Sequence, residues 1–215
     1  MSHLIYIGDP MCSWCYGFGP ELAGFLKQIP EPRLDIVMGG LRAGGTQNMT
    51  PEFRQFLVEH WGHVEQASGL SFNLQALDIP GLVYDTEPVC RAFVSALILF
   101  PNLPNMIKLA LFGSLQQAFY RQGQDTTKGT VLAKCVSQCL TRLKFPTSEA
   151  QFLAVFDSET AQSHTRAHFE QATRWGVSGF PALIVVKDER LFLLSSGYTK
   201  TAVLVEHFNK IQQQV

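Results

Sequence analysis

The apolar pattern changes period twice along the chain, and these two changes constrain the fold more than any single residue does. Residues 1–45 read strand, helix, strand. The continuous apolar run 4–7, closed by Gly8-Asp9-Pro10, has the form of a buried strand. Residues 21–28 read as a helix stopped at Ile29-Pro30, and Arg33–Met38 as a second strand broken at Gly39-Gly40. A unit of this length predicts a parallel pair joined by a helix.

Residues 50–156 then read as almost wholly helical. Thr50-Pro51-Glu52 is a helix start with Thr as N-cap and Pro in the first turn. Residues 88–100 are apolar at helical spacing. Pro104 opens another helix, in which Ile107, Leu111, Leu115 and Phe119 recur every four residues. Val131/Leu132, Cys135/Val136, Cys139/Leu140 and Leu143 form a further stripe. Ser148 with Gln151 fits a capping box. From residue 157 the pattern is mixed again: helix 160–175 ended by Gly176, strand 182–186, a turn at Asp188-Glu189-Arg190, strand 191–194 and helix 201–214. The expected architecture is therefore an α/β domain built from both ends of the chain, residues 1–45 and 157–215. An all-helical insertion, residues 46–156, interrupts it.

Composition removes several function classes. Hydrophobic residues make up 46% of the 215, enough for a core without metal or disulfide support. The net charge is −1 and no Lys/Arg cluster exceeds two residues, which argues against a nucleic-acid partner. No apolar run approaches the roughly 18 residues of a membrane span; the longest candidate, 92–100, ends at Pro101. Met1-Ser2-His3 leads straight into a strand, with none of the parts of an export signal, so a cytoplasmic location is expected. Five cysteines in such a compartment argue against a disulfide framework.

Cys12-Ser13-Trp14-Cys15 carries the chemistry. It follows the first strand at the expected start of a helix, where unpaired N–H groups and the positive dipole end favour a thiolate. A cysteine one turn deeper is placed to attack a mixed disulfide and release its partner. The spacing also occurs in zinc sites, but those need two further ligands at compact spacing, and the remaining cysteine pair lies inside a helical stripe. Beside a strand–helix–strand unit the motif reads as a redox pair. Gly179-Phe180-Pro181 precedes a strand far along the chain, and its peptide isomer is open at this stage.

The remaining candidates read as structural. Cys135 and Cys139, at i, i+4 on an apolar stripe, and Cys90 beside Pro88 behave as small hydrophobes. His60/His63 and His164/His168 lack a third ligand, so both pairs are expected on solvated helix faces. Gly39-Gly40 and Gly44-Gly45 match no phosphate-loop pattern and read as a strand exit that bends sharply or approaches the site. Trp14 is a candidate groove wall; Tyr16 and Phe18 read more as core.

The element order, with CxxC after the first strand and Gly-x-Pro before the third, resembles the DsbA family of the thioredoxin superfamily. The segment from Gly8 through Cys12-Ser13-Trp14-Cys15 to Phe18 is most similar to its cytosolic, FrnE-like, protein-disulfide-isomerase branch. Gly39-Gly40-Leu41-Arg42, Tyr84-Asp85-Thr86-Glu87-Pro88 and Arg174 to Pro181 share that likeness. The resemblance spans the chain and implies a thioredoxin-like fold with a helical insertion. It implies Cys12 as the exposed nucleophile and Cys15 as the resolving thiol. Pro181 is then a cis-proline that keeps metal off the dithiol, and the Phe180 backbone pairs with an extended substrate. Ser13 and Trp14 tune the thiolate. No bound cofactor is implied beyond the redox-active disulfide, with glutathione a possible co-substrate. The partner is a thiol or disulfide, protein or small molecule, with no nucleic acid and no membrane. The Ser-Trp dipeptide and the missing export signal depart from the exported oxidase pattern. Two other readings stay open: a glutathione-dependent transferase or isomerase of the kappa and hydroxychromene-carboxylate isomerase type, and a non-catalytic redox-sensing binding module.

Overall fold

A computed structural model describes residues 2–213. Its sheet has four strands, β1 (His3–Gly8), β2 (Arg33–Met38), β3 (Ala182–Lys187) and β4 (Arg190–Ser196), in the order β2-β1-β3-β4. β1 and β2 are parallel, so a crossover must join them, and α1 (Ser13–Leu26) supplies it. β3 runs antiparallel to β1 and to β4. The β3–β4 turn places Asp188 and Glu189 at positive φ, the twist that a two-residue hairpin loop requires.

Side chains alternate across the sheet with period two. Leu4, Tyr6, Leu34, Ile36, Leu183 and Val185 join the main core with α1 and α8 (Thr201–Gln213). Ile5, Ile7, Val37 and Ile184 face the other way and pack with Ala172 of α7 (Glu159–Arg174). Cover on both faces explains why residues 4–7 read as one unbroken apolar run.

Between β2 and α7 lie α2 (Pro51–Ser68), a short 3₁₀ turn (Leu74–Leu77), α3 (Glu87–Leu99), α4 (Asn105–Tyr120), α5 (Gly129–Arg142) and α6 (Glu149–Phe156). Residues of all five helices share the main core cluster with the sheet, so the helical insertion is welded to the thioredoxin-like unit by one apolar interior. Thr50 caps α2, and Ser148 with Gln151 forms the expected capping box. α7 ends as expected: Gly176 is left-handed, the Gly176 N–H donates to Thr173 and the Val177 N–H to Ala172. Gln214, assigned to the last helix from sequence, lies outside the described residues.

One element differs from its expected bounds. The helix placed at residues 21–28 begins at Ser13 and ends at Leu26, running straight through Pro20. Pro20 costs a hydrogen bond, but it sits on the exposed face where water can serve the freed carbonyl. Cys15, Phe18, Leu22 and Phe25 are all buried, and that packing overrides local propensity.

Candidate functional site

The strand-to-helix joint is built by Asp9. The Cys12 N–H donates to the Asp9 carbonyl at 3.0 Å, closing a turn with Pro10 at its second position. The Asp9 carboxylate accepts from Met11 N at 2.8 Å and from Leu41 N at 2.7 Å. One fully buried side chain thus ties the cysteine loop to the exit of β2. Burial pushes its pKa up, against hydrogen bonds from Thr86, Leu41 and Met11 that pull it down. The loop is braced again by the Tyr84 hydroxyl, which donates to Met11 O at 2.8 Å, while Thr86 Oγ1 accepts from Arg42 N at 3.1 Å.

Cys12 is the N-cap residue of α1 with an extended backbone, so its side chain stands at the end of the helix where N–H groups lack intrahelical partners. It is not freely exposed: only 5% of its surface is accessible, and Sγ donates to the Phe180 carbonyl at 3.6 Å. Ser13 is buried at the first helical position. Cys15 has no exposed surface. Burial, and then its hydrogen bond with Cys12, pushes its thiol well above the ordinary range. All five cysteines carry free thiols.

The Phe180–Pro181 peptide is cis. Phe180 is half-buried and its ring lies over Gly39, where a Cβ would collide with it. Gly40 has φ +65° and meets Phe169. The two glycines therefore serve as the strand exit and the close approach that the sequence suggests. Trp14 is half-buried, edge-on to His60 at 5.9 Å and 5.7 Å from Tyr198. Phe56, 54% exposed, stacks on His60 and extends that aromatic wall. Tyr16 and Phe18 are core residues, Tyr16 stacked on Tyr120.

The structure thus brings together Cys12, Ser13, Trp14, Cys15, Phe180 and Pro181, from opposite ends of the chain. Sequence reasoning quoted Asp9, Tyr84 and Thr86 within motifs but gave them no task. An Asp between a strand and a proline is an Asx-turn signal that could have found the first. His168 departs from expectation. It is not on a solvated face: its Nδ1 accepts from Met38 N at 3.2 Å, and burial, then His164, pushes its pKa down to about 4. Among the described residues, no group of three or more His, Cys, Asp or Glu is placed to hold a metal, and no helix is long and apolar enough to cross a membrane.

A buried dithiol at a helix N-terminus, facing a cis-proline loop in a thioredoxin-like fold with a helical insertion, defines a thiol–disulfide redox centre of the disulfide-oxidoreductase type. No protein-family model matches the chain, and no curated protein does. Among solved structures, a putative protein disulfide isomerase from Nitrosomonas europaea is 31% identical; the match covers 100% of this chain and 99% of that one, with a TM-score of 0.83. The chain belongs to the DsbA-like oxidoreductases of the thioredoxin superfamily. Two more distant structures share the fold. The cytosolic disulfide reductase DsbM from Pseudomonas aeruginosa, solved with GSH, is 23% identical over 99% of this chain and 100% of that one (TM-score 0.74). A 2-hydroxychromene-2-carboxylate isomerase is 12% identical over 99% and 97% (TM-score 0.65).

Proposed function

We propose that this protein is a thiol–disulfide oxidoreductase of the cytosolic, FrnE-like branch, working as a reductase or isomerase in the cytoplasm. The observation that carries the reading is the position of Cys12: N-cap of α1, with Sγ 3.6 Å from the Phe180 carbonyl beside the cis peptide of Pro181. The Cys12 thiolate attacks a substrate disulfide. A Cys12–substrate S–S bond forms, the old S–S bond breaks, and one substrate sulfur leaves as thiolate. The Cys15 thiol then loses its proton and attacks Cys12 Sγ, releasing the second substrate thiolate and leaving the Cys12–Cys15 disulfide. Two electrons pass to the substrate, and a thiol reductant such as glutathione restores the pair.

The deep burial of Cys15 suits a resolving role, since it meets only a sulfur already attached to Cys12. An extended substrate pairs with the Phe180 backbone. Trp14, His60 and the exposed Phe56 give it an apolar wall. The chemistry resides in side chains and needs no resident cofactor. The cytoplasmic assignment is supported by the likeness to cytosolic DsbM.

The test is the reduction potential of the pair, by equilibration in glutathione buffers and thiol trapping. A value near the roughly −270 mV of thioredoxin supports a reductase; one near the roughly −120 mV of the strong periplasmic oxidant overturns the direction and the compartment. If Cys12 is glutathionylated and no intramolecular disulfide forms, the glutathione-transferring reading replaces this one. If Cys15→Ala traps no covalent partner while partners still bind, the redox-sensing module does.

A further inference from the structure

A cavity of about 500 Å³ lies between α1 and α4, and neither Phe180 nor Pro181 lines it. Neither Cys12 nor Trp14 lines it. Its deep wall is formed by Tyr6, Cys15 and Gln116, which are 1%, 0% and 3% exposed. Arg121 and Arg142, both exposed, stand at its rim, and among the described residues no Asp or Glu lines it.

Two independent observations indicate that the space is built for an occupant. Gly19 of α1 and Gly113 of α4 both line it, and both sit inside helices, where glycine is unfavourable. A mid-helix glycine usually admits a close neighbour, yet a Cβ at either position would meet nothing within 4 Å. These glycines hold space open instead of closing it. Gln116 supplies the second observation: its Nε2 is buried and has no hydrogen-bond partner among the described residues, although buried donors in native proteins are nearly always satisfied.

We propose that this cavity binds a small amphipathic carboxylate carrying a second oxygen acceptor on its apolar part. The apolar body fills the space beside Gly19, Gly113 and Phe112; the second oxygen accepts from Gln116 Nε2. The carboxylate stays at the rim, where Arg121 and Arg142 offer charge-assisted hydrogen bonds. Burying it at the deep end would leave the charge without a cation. Arg121 also interacts with the Tyr16 hydroxyl. Because Cys15 is part of the wall, any preference of the ligand for dithiol or disulfide shifts the redox equilibrium by the same factor. That coupling rests on the proposed redox role; the binding itself does not.

The probe is 10-hydroxydecanoate, titrated calorimetrically into the full chain, with decanoate as the comparator. One-to-one binding is expected, several-fold tighter for the hydroxy acid. Gly113→Leu and Gly19→Leu fill the cavity and favour the helix, so they fold and lower affinity at least tenfold. Gln116→Leu removes the preference for the hydroxy acid, and the double variant Arg121→Gln, Arg142→Gln weakens both probes about tenfold. Cys12→Ser, which ends dithiol exchange and does not line the cavity, still binds, so loss of the redox reading and loss of this one are told apart. Absence of binding at millimolar probe, or equal binding by both glycine variants and wild type with unchanged thermal unfolding, overturns the proposal.

Discussion

Two cysteine pairs in this chain have nearly the same spacing and opposite surroundings. Cys12 and Cys15 straddle the start of α1, where the chain leaves a strand and the helix has N–H groups to spare. Cys135 and Cys139 lie inside α5, whose N–H groups are committed to its own ladder. There Cys135 donates to Ser114 O at 3.5 Å and Cys139 toward Ala110 O at 3.9 Å, joining α5 to α4. Burial pushes the Cys135 thiol up, with Ser114 pulling it partly back. Spacing brings two sulfurs together; only the position of the helix end separates a redox pair from interhelical packing.

The comparison is broken most directly by swapping serine for each cysteine. Cys12→Ser should lower disulfide-reductase turnover about 100-fold or more, as expected for loss of a nucleophile. Cys135→Ser and Cys139→Ser should leave it within about twofold. Insulin or glutathione mixed-disulfide reduction reads this out, and equal losses at both pairs would remove the distinction.

The next largest effect concerns the bracing that only the first pair has. Asp9→Ala leaves the buried Met11 N–H without an acceptor, at about 1–3 kcal/mol, and the more exposed Leu41 N–H, which water can reach, at less. Urea unfolding should show a loss of about 2–4 kcal/mol. A loss below 1 kcal/mol would mean that the loop re-forms without Asp9.

Acid sensitivity should concentrate in the thioredoxin-like unit. Glu21 on α1 accepts from Thr201 N and Oγ1 at the start of α8 and from Lys200. Burial alone would push its carboxyl up, but these hydrogen bonds hold it at about 2, against 4.5 ordinarily. Its contribution, about 2 kcal/mol after discounting for solvent screening, is complete above pH 4.5 and lost as pH falls toward 2. Glu21→Gln should remove it at neutral pH and match wild type at the acid end. His168, held near 4 against 6.5, acts in the same direction over a higher window: stability is full above pH 6.5 and falls as pH drops toward 4. His168→Asn keeps an acceptor for Met38 N and should flatten that limb of the stability curve. Asp9, raised by burial, has the opposite sign and stabilises less as pH rises through its folded pKa.

The smallest effect belongs to the second pair. Cys139→Ala deletes one buried sulfur and a weak contact, for about 1 kcal/mol. Thermal unfolding that moved as far as in Asp9→Ala would show α5 to be more tightly braced than the dithiol loop.

Much of this was legible in the sequence, for identifiable reasons. The period of apolar residues, the turn chemistry of Asp188-Glu189 and the caps at Thr50, Ser148 and Gly176 are local and follow from φ/ψ preference and orphan hydrogen-bonding groups. Cys12-x-x-Cys15 was legible because its spacing matches one helical turn. The start of α1 at the cysteines was legible too, but its continuity was not: the pattern gave a helix only over 21–28, whereas burial of Phe18, Leu22 and Phe25 carries one helix from Ser13 through Pro20 to Leu26. His168 looked solvated because its neighbours in sequence are polar, and its partner, Met38, is 130 residues away.

The sequence by itself determined the element order, the helical insertion and the residues that carry the chemistry, since each depends on neighbours within a turn or a strand. Only the tertiary structure decided that Phe180 lies against Cys12 in a cis peptide, that one carboxylate from Asp9 joins two loops, and that α1 and α4 stand apart over Gly19 and Gly113. Those are contacts between segments distant in the chain, and they are fixed by how helices and sheet share one core, which no local pattern encodes.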